Sequence, residues 1–285
     1  AQTGYRKFLS ASGSIRVFQR LESELEENRE EVQANGPAPD FKQPIVLKGV
    51  GFRYQRGERV LKNISMKIPP NTIVGIVGES GAGKSTLTNL LTGILTPTEG
   101  AIYLGDLNYK DLDQLSLRRG IGYVTQETVI FNETIRNNIT LWRDDAHEDK
   151  VRSAASKAHL AEFIADLPRG YDTVMGDAGI NVSGGERQRI SIARELFKDA
   201  EFLIFDEATS SLDSKTEREI QERIEELRGE KTVVIIAHRL STVRNSDLIF
   251  VLKDGEIVEQ GKYEMLYARG GEFTAMVNRQ ALTME

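Results

Sequence analysis

The sequence predicts an α/β protein: a mostly parallel sheet flanked by helices, an antiparallel β layer ahead of it and an inserted helical segment. Three observations carry this. The apolar run Ile73-Val74-Gly75-Ile76-Val77 enters a glycine-rich loop, Gly78-Glu79-Ser80-Gly81-Ala82-Gly83-Lys84-Ser85, and leaves it as a helix-like run over 86–92 closed by Gly93. Later apolar runs at 202–205, 233–236 and 248–252 read as strands buried on both faces, with a helical stretch over 216–227 as the crossover between the first two. Short alternating runs at 45–47, 50–54 and 64–68 read instead as half-exposed antiparallel strands.

Taken in order, residues 1–35 form a helical extension. Tyr5, Phe8, Leu9, Ser12, Ile15, Phe18, Leu21 and Leu25 step largely by threes and fours, although Gly4 and Gly13 weaken such a helix. A solvated charge run, Glu26-Glu27-Asn28-Arg29-Glu30-Glu31, follows. Because the chain opens at Ala1 inside this pattern, we expect a fragment of a longer protein. Residues 36–44 hold three of the seven prolines and read as a stiff linker. A second unit begins at Ile45. Within it, Ala101-Ile102-Tyr103-Leu104 is a short strand after the turn at 97–100, and Ile121-Gly122-Tyr123-Val124 is a buried strand delivering Thr125-Gln126 into a loop. Residues 133–167 are mostly helical in character, ended by Pro168-Arg169-Gly170, and the helical subdomain spans about 128–188. Near the end, Lys253-Asp254-Gly255-Glu256 carries the Asp-Gly pair of a hairpin turn.

Composition bounds the rest. A 285-residue chain can bury a sizeable core, and the formal net charge of −6 argues against a general nucleic-acid surface. There is no cysteine, so disulfide frameworks, thiolate metal sites and cysteine nucleophiles are excluded. No run is apolar for long enough to span a bilayer, so the polypeptide as given is expected to be soluble.

The loop after Val77 states the chemistry. Glycines let successive backbone N–H groups converge on an anion, and the following helix start adds partial positive charge. In a G-x-x-x-x-G-K-S loop flanked by strand and helix, Lys84 reaches the β- and γ-phosphates and Ser85 ligates Mg²⁺. Asp206 and Glu207 follow the strand at 202–205. An acid at the C-terminal end of a parallel strand supports Mg²⁺, and a second one residue on can take a proton from an attacking water. Val182-Ser183-Gly184-Gly185-Glu186 opens another helix, with Ser183 as its N-cap and Ile190, Ala193, Leu196 and Phe197 as its apolar face. That is a second anion-binding helix start about a hundred residues from Lys84. One triphosphate rarely needs both from one domain, so the second is expected to reach another molecule's nucleotide.

The segment 78–85, Gln126, the runs 182–186 and 202–207, Ser210-Ser211-Leu212-Asp213 and His238 resemble, in type and order, the motifs of ABC transporter ATPase domains. The resemblance covers Ile45 to the C-terminus. It implies a P-loop NTPase core with an antiparallel β subdomain and an inserted α-helical subdomain. It also implies ATP and Mg²⁺ as ligands, and a head-to-tail dimer sandwiching two nucleotides. Carried onto this sequence, it assigns Tyr54 to adenine, and Gly78, Glu79, Ser80, Gly81, Ala82, Gly83, Lys84, Ser85 and Thr86 to the phosphates. Ser85, Gln126 and Asp206 hold Mg²⁺, Gln126 also orients water, Glu207 is the base and His238 touches the γ-phosphate. Ser183, Gly184 and Gly185 serve the partner's nucleotide, and Asp213 sits at the dimer interface. Phe52 competes with Tyr54 for the adenine; His147 and His159 are expected at the surface without partners, and Trp142 in ordinary packing.

Exporter-type detail also resembles this chain: the run 171–179 is similar to a segment that touches membrane-domain loops, and 131–139 to one that receives a coupling helix. Asp177-Ala178 departs from the usual Glu-Arg pair, and Val182 and Glu186 from the usual Leu and Gln. The resemblance therefore implies ATP hydrolysis on the cytoplasmic face of a plasma or inner membrane. It would power export or flipping by a transmembrane domain in the same full-length polypeptide. A non-transport ABC ATPase and an importer ATPase are the rival readings; the acidic charge weighs against the first, and the helix ahead of the β layer against the second.

Overall fold

The computed structural model describes residues 17–18, 20–23, 36–55, 57–143, 146–176, 179–180, 182–208, 212, 214–237 and 239–282. The helix expected over 1–35 thus lies mostly outside the described residues; 17–18 and 20–23 are helical. Next come β1 (Ile45–Arg53), β2 (Arg59–Ile68), β3 (Ile73–Val77), α1 (Lys84–Leu91), β4 (Glu99–Leu104), β5 (Leu107–Asn108), α2 (Gln114–Gly120) and β6 (Ile121–Val124). The helical segment follows as α3 (Ile135–Thr140), α4 (Glu148–Lys157), α5 (Ala161–Ala165) and α6 (Gly184–Lys198). The chain then runs through β7 (Phe202–Asp206), α7 (Ser214–Glu226), β8 (Thr232–Ala237), β9 (Leu248–Lys253), β10 (Glu256–Gly261), α8 (Tyr263–Arg269) and α9 (Glu272–Leu282).

Two sheets result. The order β2-β1-β4-β5 is antiparallel throughout, whereas β10-β9-β3-β8-β7-β6 is parallel except for its edge strand β10. The runs expected as separate strands at 45–47 and 50–54 are one strand. Its register shifts between Leu47 and Val50, where Gly49 turns through φ 60 and donates its N–H to Ser65 Oγ at 3.0 Å. That bulge bends β1 without ending it.

The central strands are apolar without alternation because both faces are buried. Val74, Ile76, Phe202, Ile204, Val234 and Ile236 join one cluster with α1 and the antiparallel sheet, through Leu87, Leu90, Val50 and Ile64. Their neighbours Val77, Leu203, Phe205, Val233 and Ile235 join the opposite cluster, which reaches the helices through Ile139, Val151, Ile190 and Phe197. The sheet is thus the wall between two cores, and α3 and α4 pack on α6 rather than on α1. Ahead of it, Phe41 is buried and stacks on Phe202 with ring centroids 6.0 Å apart, while Pro37 O accepts the Asp113 N–H at 3.1 Å. Residues 36–44 are therefore tied to the body of the fold.

Candidate active site

Strand β3 occupies the middle of the parallel sheet, and the loop leaving its C-terminal end carries 78–83. Gly83 stands at φ 103, left-handed backbone that a side chain resists, and a Cβ there would lie 2.7 Å from Leu61 Cδ2. A Cβ on Gly78 would meet Leu252 O at 2.3 Å, whereas the space beside Gly81 is open. The loop is thus pressed against the sheet on one side and free on the other. No side chain caps α1 and its first turn has no acid, which leaves its leading N–H groups for an anion. Lys84 is buried, and its Nζ donates to Gly78 O at 2.8 Å and Glu79 O at 3.0 Å. Burial lowers its pKa, against the pull of Glu207 and Asp206, whose charges favour the ammonium. Ser85 is exposed beside it and Thr86 buried.

The neighbouring strands deliver the acids. Asp206 closes β7, buried, and Tyr123 Oη of the paired strand β6 donates to its Oδ2 at 3.0 Å. Burial raises the Asp206 pKa; the Tyr123 hydrogen bond opposes that rise, Glu207 adds to it and Lys84 opposes it. Tyr123 is itself pushed above its ordinary value, by burial first and then by the Asp206 charge and hydrogen bond. Glu207 follows at φ 49, with its N–H still bonded to Ile236 O at 2.9 Å, so the chain turns abruptly while staying tied to β8. A non-glycine residue held there is strained backbone of the kind found at working sites. Gln126 Nε2 donates to Glu207 Oε2 at 2.9 Å. Lys84, Asp206, Glu207 and Gln126, distant in sequence, therefore share one edge of the sheet.

Tyr54 is 49 % exposed, just past β1, and its hydroxyl lies 3.2 Å from Thr86 Oγ1. Phe52, the competing aromatic, is buried and meets the Tyr54 ring edge-on at 4.8 Å, so Tyr54 is the ring offered to solvent at the loop. Ser183 caps α6 in a reciprocal box: its Oγ accepts the Glu186 N–H at 3.2 Å, and Glu186 Oε2 accepts the Ser183 N–H at 2.6 Å. Gly184 and Gly185 form the first helical positions, half-buried, and Ser183 is exposed. Asp213, His238, Ser210-Ser211 and Asp177-Ala178 lie outside the described residues.

Two expectations are corrected. His159 is not a partnerless surface residue: it is half-buried, with Nδ1 3.3 Å from Glu219 Oε2, because the turn after α4 tucks it against α7. Trp142 is not in ordinary packing. Leu141 and Trp142 both take left-handed backbone, φ 50 and 56, which turns Trp142 outward to 49 % exposure, edge-on to the half-exposed Phe131 at 5.2 Å. Tyr123 is the site residue that sequence reasoning passed over. Its signal was an aromatic with a polar tip in an otherwise apolar strand, three residues before Gln126.

The donor set suits Mg²⁺ better than a resident transition metal. Ser85, Gln126 and Asp206 offer oxygen ligands with a single carboxylate, and among the described residues no three His, Cys, Asp or Glu side chains gather. Mg²⁺ held by few protein ligands is completed by phosphate oxygens and water.

A parallel sheet presenting a glycine-rich anion loop and an Asp-Glu pair at its strand ends is a P-loop NTPase fold. The ABC transporter family profile matches residues 61–210, and the chain belongs to that family. It resembles the ATP-dependent lipid A-core flippase of Desulfotalea psychrophila, 45% identical over 266 residues, which are 93% of this chain and 46% of the relative. It also resembles the mitochondrial potassium channel ATP-binding subunit of Rattus norvegicus, 43% identical over 249 residues, 86% of this chain and 35% of the relative. Among solved structures, a bacterial Atm1-family ABC exporter with ATP bound superposes with a TM-score of 0.88 at 40% identity, over 95% of this chain and 48% of that one. The chain spans about half the length of these relatives or less, and corresponds to their ATP-binding cassette portion. No described helix is long and apolar enough to cross a membrane.

Proposed function

We propose that this chain hydrolyses ATP to ADP and phosphate, and that the full protein uses the cycle to drive export or flipping by a transmembrane domain at the cytoplasmic face of a membrane. The observation that carries the hydrolytic reading is the Gln126–Glu207 hydrogen bond at the strand edge beside Lys84. With one carboxylate oxygen held by the Gln126 amide, the other is directed to an attacking water, as a general base must be. Lys84 exchanges its loop carbonyls for phosphate oxygens and stabilises charge that develops there. Ser85, Asp206 and Gln126 hold Mg²⁺, which supplies neutralisation of the phosphates. Tyr54 offers its exposed ring to the adenine, and His238 contacts the γ-phosphate.

The exposed start of α6, built on the helical segment away from α1, supports a site completed by a second ATPase domain arranged head-to-tail. Ser183, Gly184 and Gly185 then meet the partner's nucleotide, and Asp213 lies between the two sites. The outward-facing Val129, Phe131, Leu141 and Trp142 support a membrane-domain partner, since neighbouring exposed apolar side chains mark a docking surface. The cargo is read by the transmembrane domain.

Lys84→Ala tests the nucleotide site: binding of a fluorescent ATP analogue should be lost, and an unchanged titration contradicts the assignment. Glu207→Gln should keep binding while turnover falls by about 10²-fold or more; a variant that still turns over contradicts the base.

A further inference from the structure

The C-terminal helix α9 reaches the phosphate loop from the far end of the chain. Buried Phe273 and Met276 anchor it, with the Phe273 ring edge-on to Tyr263 at 5.1 Å. From that anchor Arg279 Nη1 donates to Glu79 Oε1, and its Nη2 donates to Glu272 Oε1 at 3.2 Å. Glu272 Oε2 accepts in turn from Lys253 Nζ at 2.7 Å. The next residue, Gln280, accepts the Leu240 N–H on its Oε1 at 2.9 Å, two residues beyond His238. One helix turn thus touches both the phosphate loop and the segment that follows residue 238.

Glu79 is an unexpected residue for Arg279 to hold. It is the single acid in the stretch 78–85, whose work is to receive an anion. Its backbone is also structural for the loop, since Glu79 O accepts both Lys84 Nζ at 3.0 Å and the Ala82 N–H at 3.2 Å. An uncompensated carboxylate there opposes a triphosphate. An exposed ion pair contributes little to folding, but a charge beside a multiply charged ligand acts on binding.

Resting on the ATP-site reading, we propose that Arg279 is a positioning residue for the phosphate loop: its ion pair holds the Glu79 carboxylate away from the anion-receiving side of the loop, and so lets the C-terminal helix set the affinity for ATP. The Lys253–Glu272–Arg279–Glu79 series is a network, the arrangement in which surface charges hold a geometry.

The test is a double-mutant cycle on the full 285-residue chain, with Mg-ATP affinity measured for wild type, R279A, E79Q and the double variant. At low salt R279A should raise Kd about fivefold. In the E79Q background the same change should move Kd less than about twofold. Near 1 M salt, where the screening length is about 3 Å, the R279A effect should vanish. R279K, which keeps the charge, should bind like wild type. An unchanged Kd in R279A overturns the proposal. So does equal weakening with and without Glu79 that persists at high salt, because that pattern belongs to helix packing. A wild type that binds no ATP fails the underlying reading instead, and is told apart by that control.

Discussion

Tyr123 shows how one hydroxyl shapes the proposed Mg²⁺ site. Its bond at 3.0 Å occupies Asp206 Oδ2 and leaves the other carboxylate oxygen for a ligand. Removing it in Tyr123→Phe deletes a charge-assisted hydrogen bond, a loss of about 1.5–3 kcal/mol to the positioning of that carboxylate. We expect turnover to fall about tenfold and the Mg²⁺ requirement to rise, with ATP affinity little changed; an identical Mg²⁺ titration contradicts this role. The placement of Lys84, Asp206 and Glu207 at strand ends is legible in the sequence because each sits at a fixed offset from an apolar run. Tyr123 is not, because its partner is set by the register that pairs Tyr123 with Ile204 across β6 and β7. The left-handed backbone of Glu207 was equally hidden, since nothing in the residue type announces it and the bond its N–H makes to Ile236 O is long-range.

At the scale of elements, the β9–β10 hairpin supports the loop from below. Gly255, at φ 80, accepts the Lys62 N–H at 2.8 Å and donates to Ala82 O at 3.2 Å, so the turn ties β2 to the phosphate loop. A Cβ there would lie 2.2 Å from Val60 O. Gly255→Ala should destabilise the fold by at least about 1–2 kcal/mol and weaken ATP binding as well; an unchanged denaturation midpoint contradicts it. The Asp-Gly turn was readable in sequence, but its grip on Ala82 was not, because turn chemistry is local and that contact is long-range. Helix α6 carries a second testable residue. Glu195 is taken into the core, where burial raises its pKa despite Lys198, whose Nζ stands 3.9 Å away. Its folded value exceeds the unfolded one, so its stabilisation is complete below the unfolded pKa and lost as pH rises through the folded value. Glu195→Gln should flatten the fall in Tm between acidic and neutral pH; a slope equal to that of wild type contradicts the assignment.

For the molecule as a whole, architecture was legible where periodicity carries it: buried parallel strands without alternation, an antiparallel layer with it, and a helical segment between Gln126 and the strand at 202–206. Surface geometry was not. Trp142 faces outward because two successive residues take left-handed backbone, which no apolar count anticipates. The same limit applies to the division of the site. Lys84, Asp206, Glu207 and Gln126 gather at one sheet edge, while the Ser183 cap stands on a helix packed against α3 and α4. On the proposed reading these are two halves of different sites, joined only when two domains meet around ATP.

Solution mass of the Glu207→Gln variant, measured by light scattering with and without Mg-ATP, tests that claim most directly. The account predicts a shift from monomer to dimer on adding Mg-ATP, reversed by removing the nucleotide or by adding Lys84→Ala. A variant that binds Mg-ATP and keeps the mass of a monomer contradicts it.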